Sequence, residues 1–91
     1  MLRIIFSRQF ERDLKACIRR GLPKDELIQV VDRLANGEQL EPRFRPHRLK
    51  GDYNGFTECH LRPDWLLVYN IDAQNKTLLV YRTGSHADLF S

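Results

Sequence analysis

Three histidines, an aspartate and a strand-end arginine are the residues of this 91-residue sequence best suited to chemistry. His47, His60 and His86 all lie in its second half, with Asp64 and Arg82 among them. An imidazole can accept or release a proton near neutral pH. A guanidinium matches the forked geometry of a phosphate. Metal-free RNA cleavage needs those functions: a base for the 2′-hydroxyl, an acid for the departing 5′-oxygen, and cations for the charged phosphorane. Spacing alone leaves this as one reading beside plainer ones. His60 also reads as a hydrogen-bonded residue of a half-exposed strand, His47 as a polar loop residue and His86 as a tail residue. Asp64 suits a Pro-Asp turn, Arg82 an ordinary edge-strand cation, Glu58 a cross-strand ion pair and Trp65 a core.

Other chemistries have less support. No CxxC, HxxxH or HExxH spacing occurs, so neither a metal-ligand set nor a cofactor is expected. Cys59 and His60 are neighbours, and a strand points neighbours to opposite faces. Gly51, Gly55 and Gly84 are isolated and make no glycine-rich phosphate cradle. Cys17 and Cys59, far apart in sequence, read as reduced thiols. Fifteen Lys and Arg against twelve Asp and Glu give a net charge of +3, and lysine occurs only as Lys15, Lys24, Lys50 and Lys76, so most cations are Arg. The segment Arg43-Phe44-Arg45-Pro46-His47-Arg48-Leu49-Lys50 is rich in cations and holds no acid. Such runs are usually solvated loops, but the Arg content and the aromatic inside it add weight to an anionic partner.

The elements that must position these residues follow from periodicity. Leu2 to Phe6 suits a first strand. Ser7 can cap a helix whose apolar stripe is Phe6, Phe10, Leu14, Cys17 and Ile18, ending at Gly21. Pro23 opens a second helix with Leu27, Val30, Val31 and Leu34 on one face, stopped at Asn36-Gly37. Glu41 to Lys50 reads as a loop. Beyond it the period becomes two. Phe56, Glu58 and His60 share one strand face, and Thr57, Cys59 and Leu61 the other. Trp65 to Ile71, apolar on both faces, is a central strand, and Thr77 to Thr83 is a further strand. Ser85 can cap a last short turn. The expected fold is α+β: a small, mostly antiparallel sheet, one N-terminal strand plus a three-strand meander, with a helical hairpin on one face. The other face stays open to Glu58 and His60. The length suits one domain over 1–91. No apolar run approaches the roughly 20 residues that span a bilayer, and the N-terminus carries no signal-peptide pattern, so a soluble cytoplasmic protein without a membrane partner is expected.

Four ordered segments are specific beyond pattern: His47-Arg48-Leu49-Lys50-Gly51, Gly55-Phe56-x-Glu58-x-His60, Pro63-Asp64-Trp65-Leu66-Leu67-Val68-Tyr69 and Arg82-Thr83-Gly84-Ser85-His86-x-x-Leu89-Phe90. Together they resemble the YafQ branch of the RelE-type toxins of bacterial type II toxin–antitoxin systems, over essentially the whole chain. The resemblance implies a twisted antiparallel sheet with two helices on one side. It implies a ribosome-dependent mRNA endoribonuclease that cuts in the A site, the 2′-hydroxyl attacking without a metal to leave a 2′,3′-cyclic phosphate. His47, His60, Asp64, Arg82, His86 and Phe90 stand at the branch's active-site positions. On that carry-over His86 is the general acid, while His47, His60 or Asp64 removes the 2′-hydroxyl proton. Arg82 holds the phosphate and Phe90 stacks on a base. Arg43, Arg45, Arg48, Lys50, Arg62 and Trp65 are expected to meet RNA or the ribosome, and Arg8, Arg12 and Arg19 can add to them. Glu58 departs from the branch, where Asp stands. The implied partners are a cognate antitoxin, in a 2:2 complex that binds operator DNA, and the 70S ribosome with its mRNA, the free toxin being a monomer. The alternatives are a ParE-like toxin acting on DNA gyrase, a non-catalytic RNA- or ribosome-binding module, and a small interaction domain.

Overall fold

The computed structural model describes residues 1–90. Strand β1 (Arg3–Phe6) leads directly into helix α1 (Arg8–Arg19), whose first turn is capped by Ser7: its Oγ accepts the Phe10 N–H at 2.9 Å. Helix α1 ends before Gly21, which takes the positive φ of 88° that a side chain would resist. Helix α2 (Lys24–Ala35) follows Pro23. Then come β2 (His47–Arg48), β3 (Thr57–Arg62), β4 (Trp65–Asp72), β5 (Thr77–Gly84) and the short helix α3 (His86–Phe90). The sheet order is β1-β5-β4-β3-β2, antiparallel except for the β1–β5 pair.

The expected α+β architecture is present, with one correction. The sheet has five strands and not four, because the basic segment contributes β2. That strand is only two residues long and follows Pro46, so it carries no alternation to read. It has a consequence for the site, since it sets His47 directly opposite Glu58.

Period-two alternation sorts the sheet's side chains. Cys59, Leu61, Trp65, Leu67, Tyr69, Leu78 and Val80 pack with Phe10, Cys17, Leu27, Val30, Val31 and Leu34 of the two helices. Burial of each large apolar side chain there contributes about 1.5–3 kcal/mol. Phe6 and Ile18, at the margins of the α1 stripe, stay partly exposed. On the opposite face Leu66, Val68 and Leu89 form a smaller cluster with Leu49, Tyr53, Phe56 and Tyr81. That face is therefore partly covered, by α3 and the 52–56 turn, rather than fully open.

Trp65 corrects the expectation of an RNA contact. It is the first residue of the central strand, points to the helix side with Leu67 and Tyr69, and is 1% exposed. Its indole N–H donates to Thr83 Oγ1 at 2.9 Å. It is a core residue, out of reach of RNA. Both cysteines are free and buried, and burial pushes the Cys59 thiol up to about 12. No helix among the described residues is long and apolar enough to cross a membrane.

Candidate active site

The three imidazoles form a row. His47 on β2 and His60 on β3 have ring centroids 6.1 Å apart, His60 and His86 are 5.6 Å apart, and His86 and Phe90 are 6.4 Å apart. Phe90, an exposed aromatic, meets the edge of Tyr53 at 5.4 Å. Strand pairing brings the first two together, and the chain's turn after β5 delivers the third.

Each member is held in a definite orientation. His47 Nδ1 lies 2.9 Å from the Arg45 carbonyl oxygen. Only N–H can meet a carbonyl, so His47 Nε2 is turned toward Glu58, with Oε1 at 3.4 Å. The same Glu58 oxygen lies 3.2 Å from His60 Nε2. Glu58 is 3% exposed, so its charge is shared between two rings and largely withheld from water. His86 is fixed by Asp64: Oδ1 accepts the backbone N–H at 2.9 Å and the ring Nδ1–H at 2.7 Å. These bonds hold the Asp64 carboxyl below its usual range, the backbone one most, and they leave His86 Nε2 pointing away from its own partner.

Helix α3 is locked from several sides. Ser85 and Asp88 form a reciprocal cap, Asp88 N–H to Ser85 Oγ at 3.0 Å and Ser85 N–H to Asp88 Oδ2 at 2.9 Å. Arg20, which caps the C-terminus of α1, grips the Asp88 carboxylate with both terminal nitrogens. A Cβ on Gly84 would sit 2.8 Å from Asp88 Oδ2 and 2.9 Å from its Cβ, so only glycine fits.

Arg82 reaches the row indirectly. Its Nε and Nη2 donate to Asp13 of α1 at 2.7 and 3.2 Å, and its Nη1 donates to the Tyr53 hydroxyl at 3.2 Å. The convergence expected for His60, Asp64 and His86 is realised, and Arg82 joins it through Tyr53 and Phe90. Of the basic residues, Arg43, Arg45, Arg48 and Lys50 are exposed. The Arg43 guanidinium lies 4.2 Å over the buried Phe44 ring. Arg62 is exposed but paired to Glu26 through two hydrogen bonds. A cavity of about 320 Å³ beside His60 is lined by Arg43, Phe44, Arg45, Arg62 and Pro63.

Sequence reasoning left the role of Glu58 open and passed over Asp13 and Tyr53. Glu58 had a legible signal in its i, i+2 relation to His60, but its second partner depends on β2. His47, Glu58 and His60 also bring one ligand atom each to within 4.8 Å of one another, a set that can take a metal ion. Spacing rules do not find it, because its members come from facing strands.

The family model described as "Bacterial toxin of type II toxin-antitoxin system, YafQ" matches residues 2–91. The chain belongs to the YafQ toxin family. It is 33% identical over 88 residues to the mRNA interferase toxin YafQ of Escherichia coli K12, covering 96% of this chain and 94% of that one. A metal-bound toxin from Helicobacter pylori superposes with a TM-score of 0.92 at 46% identity, over 99% of this chain and 100% of that one. YafQ in the E. coli DinJ–YafQ complex does so with a TM-score of 0.90 at 32% identity, each chain covered in full. The α+β fold described above, three helices with a five-strand mixed sheet, is the one shared with these structures.

Proposed function

We propose that this chain is an mRNA interferase, an endoribonuclease toxin of a type II toxin–antitoxin system acting on ribosome-bound mRNA in the A site. The observation that carries the reading is the row of three imidazoles, each oriented by a separate acceptor, beside an arginine with free donors. Two imidazoles 5.6 Å apart suit the two ends of one phosphate. His60, backed by Glu58, takes the 2′-hydroxyl proton, with His47 as the neighbouring base. Asp64 is committed to His86, which narrows the base to those two rings. The O2′–P bond forms, the P–O5′ bond breaks, and His86 Nε2 gives its proton to the leaving 5′-oxygen. The products are a 2′,3′-cyclic phosphate and a 5′-hydroxyl.

A guanidinium has five N–H groups. Asp13 and Tyr53 take three in Arg82, leaving one on each terminal nitrogen for the charged phosphorane. Phe90 offers an exposed face for an unpaired base. Arg43, Arg45 and Arg62, which line the cavity beside His60, supply phosphate contacts, and the exposed Arg48 and Lys50 add to them. A cognate antitoxin would cover this basic face. A 2:2 complex, operator binding through the antitoxin and a monomeric free toxin complete the proposal.

The test is expression in a bacterial host with 5′-end mapping of a reporter mRNA, native chain against His86→Ala. Growth arrest with in-frame, translation-dependent cuts that vanish in the variant is the expected result. Arrest without cuts moves the reading to a gyrase-directed toxin or a ribosome-blocking module. Neither arrest nor cuts from folded protein overturns it.

A further inference from the structure

Strand β5 changes its alternation just before the site. Tyr69 pairs with Val80 and Val68 pairs with Arg82, so Tyr81 is an extra residue with no partner on β4. Val80 lies on the helix side with Tyr69, and Arg82 lies on the opposite face with Val68. In a regular strand Val80 and Arg82 would share a face. The bulge thus turns Arg82 away from the helical core and toward the imidazole face.

It does so where β5 has lost its other neighbour. β1 stops at Phe6, opposite Val80, and the chain turns into α1. The backbone groups of β5 beyond that point need other partners, and side chains supply them. Ser7 Oγ donates to the Tyr81 carbonyl at 2.7 Å, and Asp13 Oδ2 accepts the Thr83 N–H at 3.2 Å. Asp13 thus replaces a strand partner and grips the Arg82 guanidinium with the same carboxylate. From the other side the Tyr53 hydroxyl accepts from Arg82 and donates to the Leu89 carbonyl at 3.1 Å, while its ring meets Phe90. One line of contacts runs Asp13, Arg82, Tyr53, then Leu89 and Phe90 in the last turn of α3.

We propose that Asp13 and Tyr53 are positioning residues for cleavage: Asp13 aims Arg82, and Tyr53 sets Arg82 in register with helix α3, which carries His86 and Phe90. The proposal rests on the nuclease reading above. Neither residue touches the RNA; both act through Arg82.

The test is a double-mutant cycle. Asp13→Asn and Tyr53→Phe are made in the native chain and in Arg82→Ala, and the first-order cutting rate is measured on mRNA-programmed ribosomes. Both substitutions keep side-chain size. In the native background Asp13→Asn should slow cutting about 10- to 100-fold and Tyr53→Phe about threefold to tenfold, with the half-saturating ribosome concentration unchanged. In the Arg82→Ala background neither should slow cutting further. Equal losses in both backgrounds would show general structural support and overturn the proposal. A second measurement needs no activity: the Arg82 Nε–H signal in ¹⁵N NMR should exchange slowly in the native chain and His86→Ala, and fast in Asp13→Asn. Slow exchange in Asp13→Asn also overturns the proposal. Native protein with a protected Arg82 Nε–H that cuts no mRNA overturns the nuclease reading and the positioning role with it.

Discussion

A single carboxylate oxygen of Asp64 receives two donors from His86, the backbone N–H at 2.9 Å and the ring Nδ1–H at 2.7 Å. The first bond anchors the start of α3. The second decides which ring nitrogen faces outward. Asp64 is therefore expected to act on cleavage through His86 and not as a base. Removing it with Asp64→Ala should lower the single-turnover cutting rate about tenfold or more, a part of the roughly 10²–10⁴ that a general acid supplies. Asp64→Asn, which keeps an oxygen acceptor, should lose less. Equal activity of Asp64→Ala and native protein would remove Asp64 from the site.

Helix α3 should also be an acid-sensitive part of the fold. Asp88 is held far below the usual carboxylate range, chiefly by hydrogen bonds from Arg20 and then by the Ser85 backbone N–H. Asp64 is lowered by the His86 bonds. Between the folded and unfolded values the unfolded chain binds more protons, so stability falls as pH falls. The contribution is complete above the unfolded value of about 3.9 and is lost as pH drops through the folded one. Thermal midpoints should decline below about pH 4 in the native protein. Asp88→Asn should have a lower midpoint at neutral pH and a shallower acid decline. Parallel acid limbs for the two proteins would contradict this.

What the sequence made legible, and what it did not, divides along the range of the interactions. Helices α1 and α2 and strand β3 were readable because each carries its own period, and β4 because it is a short continuous apolar run. The α3 cap was readable from Ser85, while the reciprocal bond from Asp88 came with the structure. β2 was hidden because a two-residue strand has no period, and with it went the opposition of His47 and Glu58. The bulge at Tyr81 was hidden because alternation resets only relative to a partner strand. Asp13 meets Arg82 across 69 residues of sequence, which no local pattern encodes. The resemblance puts Trp65 with the RNA contacts because it follows Asp64, and a strand apolar on both faces does not say which face meets the helices; the structure sets Trp65 on that side with Leu67 and Tyr69.

Trp65→Phe tests that correction. The substitution removes the indole donor to Thr83 Oγ1 and part of the buried volume. Thr83 still donates to the Leu66 carbonyl. The expected cost is about 1–3 kcal/mol in chemical denaturation. Ribosome affinity, measured under conditions where the variant is fully folded, should not change. A weaker affinity with unchanged stability would return Trp65 to the interface.

The set His47, Glu58 and His60 predicts a competition. A transition metal bound there takes the imidazole nitrogens that proton transfer needs, and it must find them unprotonated. Cutting by native protein should therefore survive a chelator selective for transition metals, with Mg²⁺ kept for the ribosome, and be inhibited by added Zn²⁺. Inhibition should weaken as pH falls. Glu58→Gln should raise the inhibitory concentration about tenfold or more, since removing a ligand costs no less than removing its outer-sphere support. Activation by the metal, or loss of cutting in the chelator, would make it a participant in the reaction.

The basic segment should govern binding and not chemistry. Arg43 is preset over Phe44 and Arg45 borders the cavity beside His60, yet neither lies in the imidazole row. Contacts of this kind release counterions from RNA, so their worth depends on salt. Arg43→Gln and Arg45→Gln should each weaken ribosome binding and reduce the slope of log affinity against log salt by about one. Once the complex is saturated, the cutting rate should stay within about threefold of native, because no reacting group has moved. A variant that binds normally but cuts slowly would place its arginine at the scissile phosphate, in competition with Arg82 for that role.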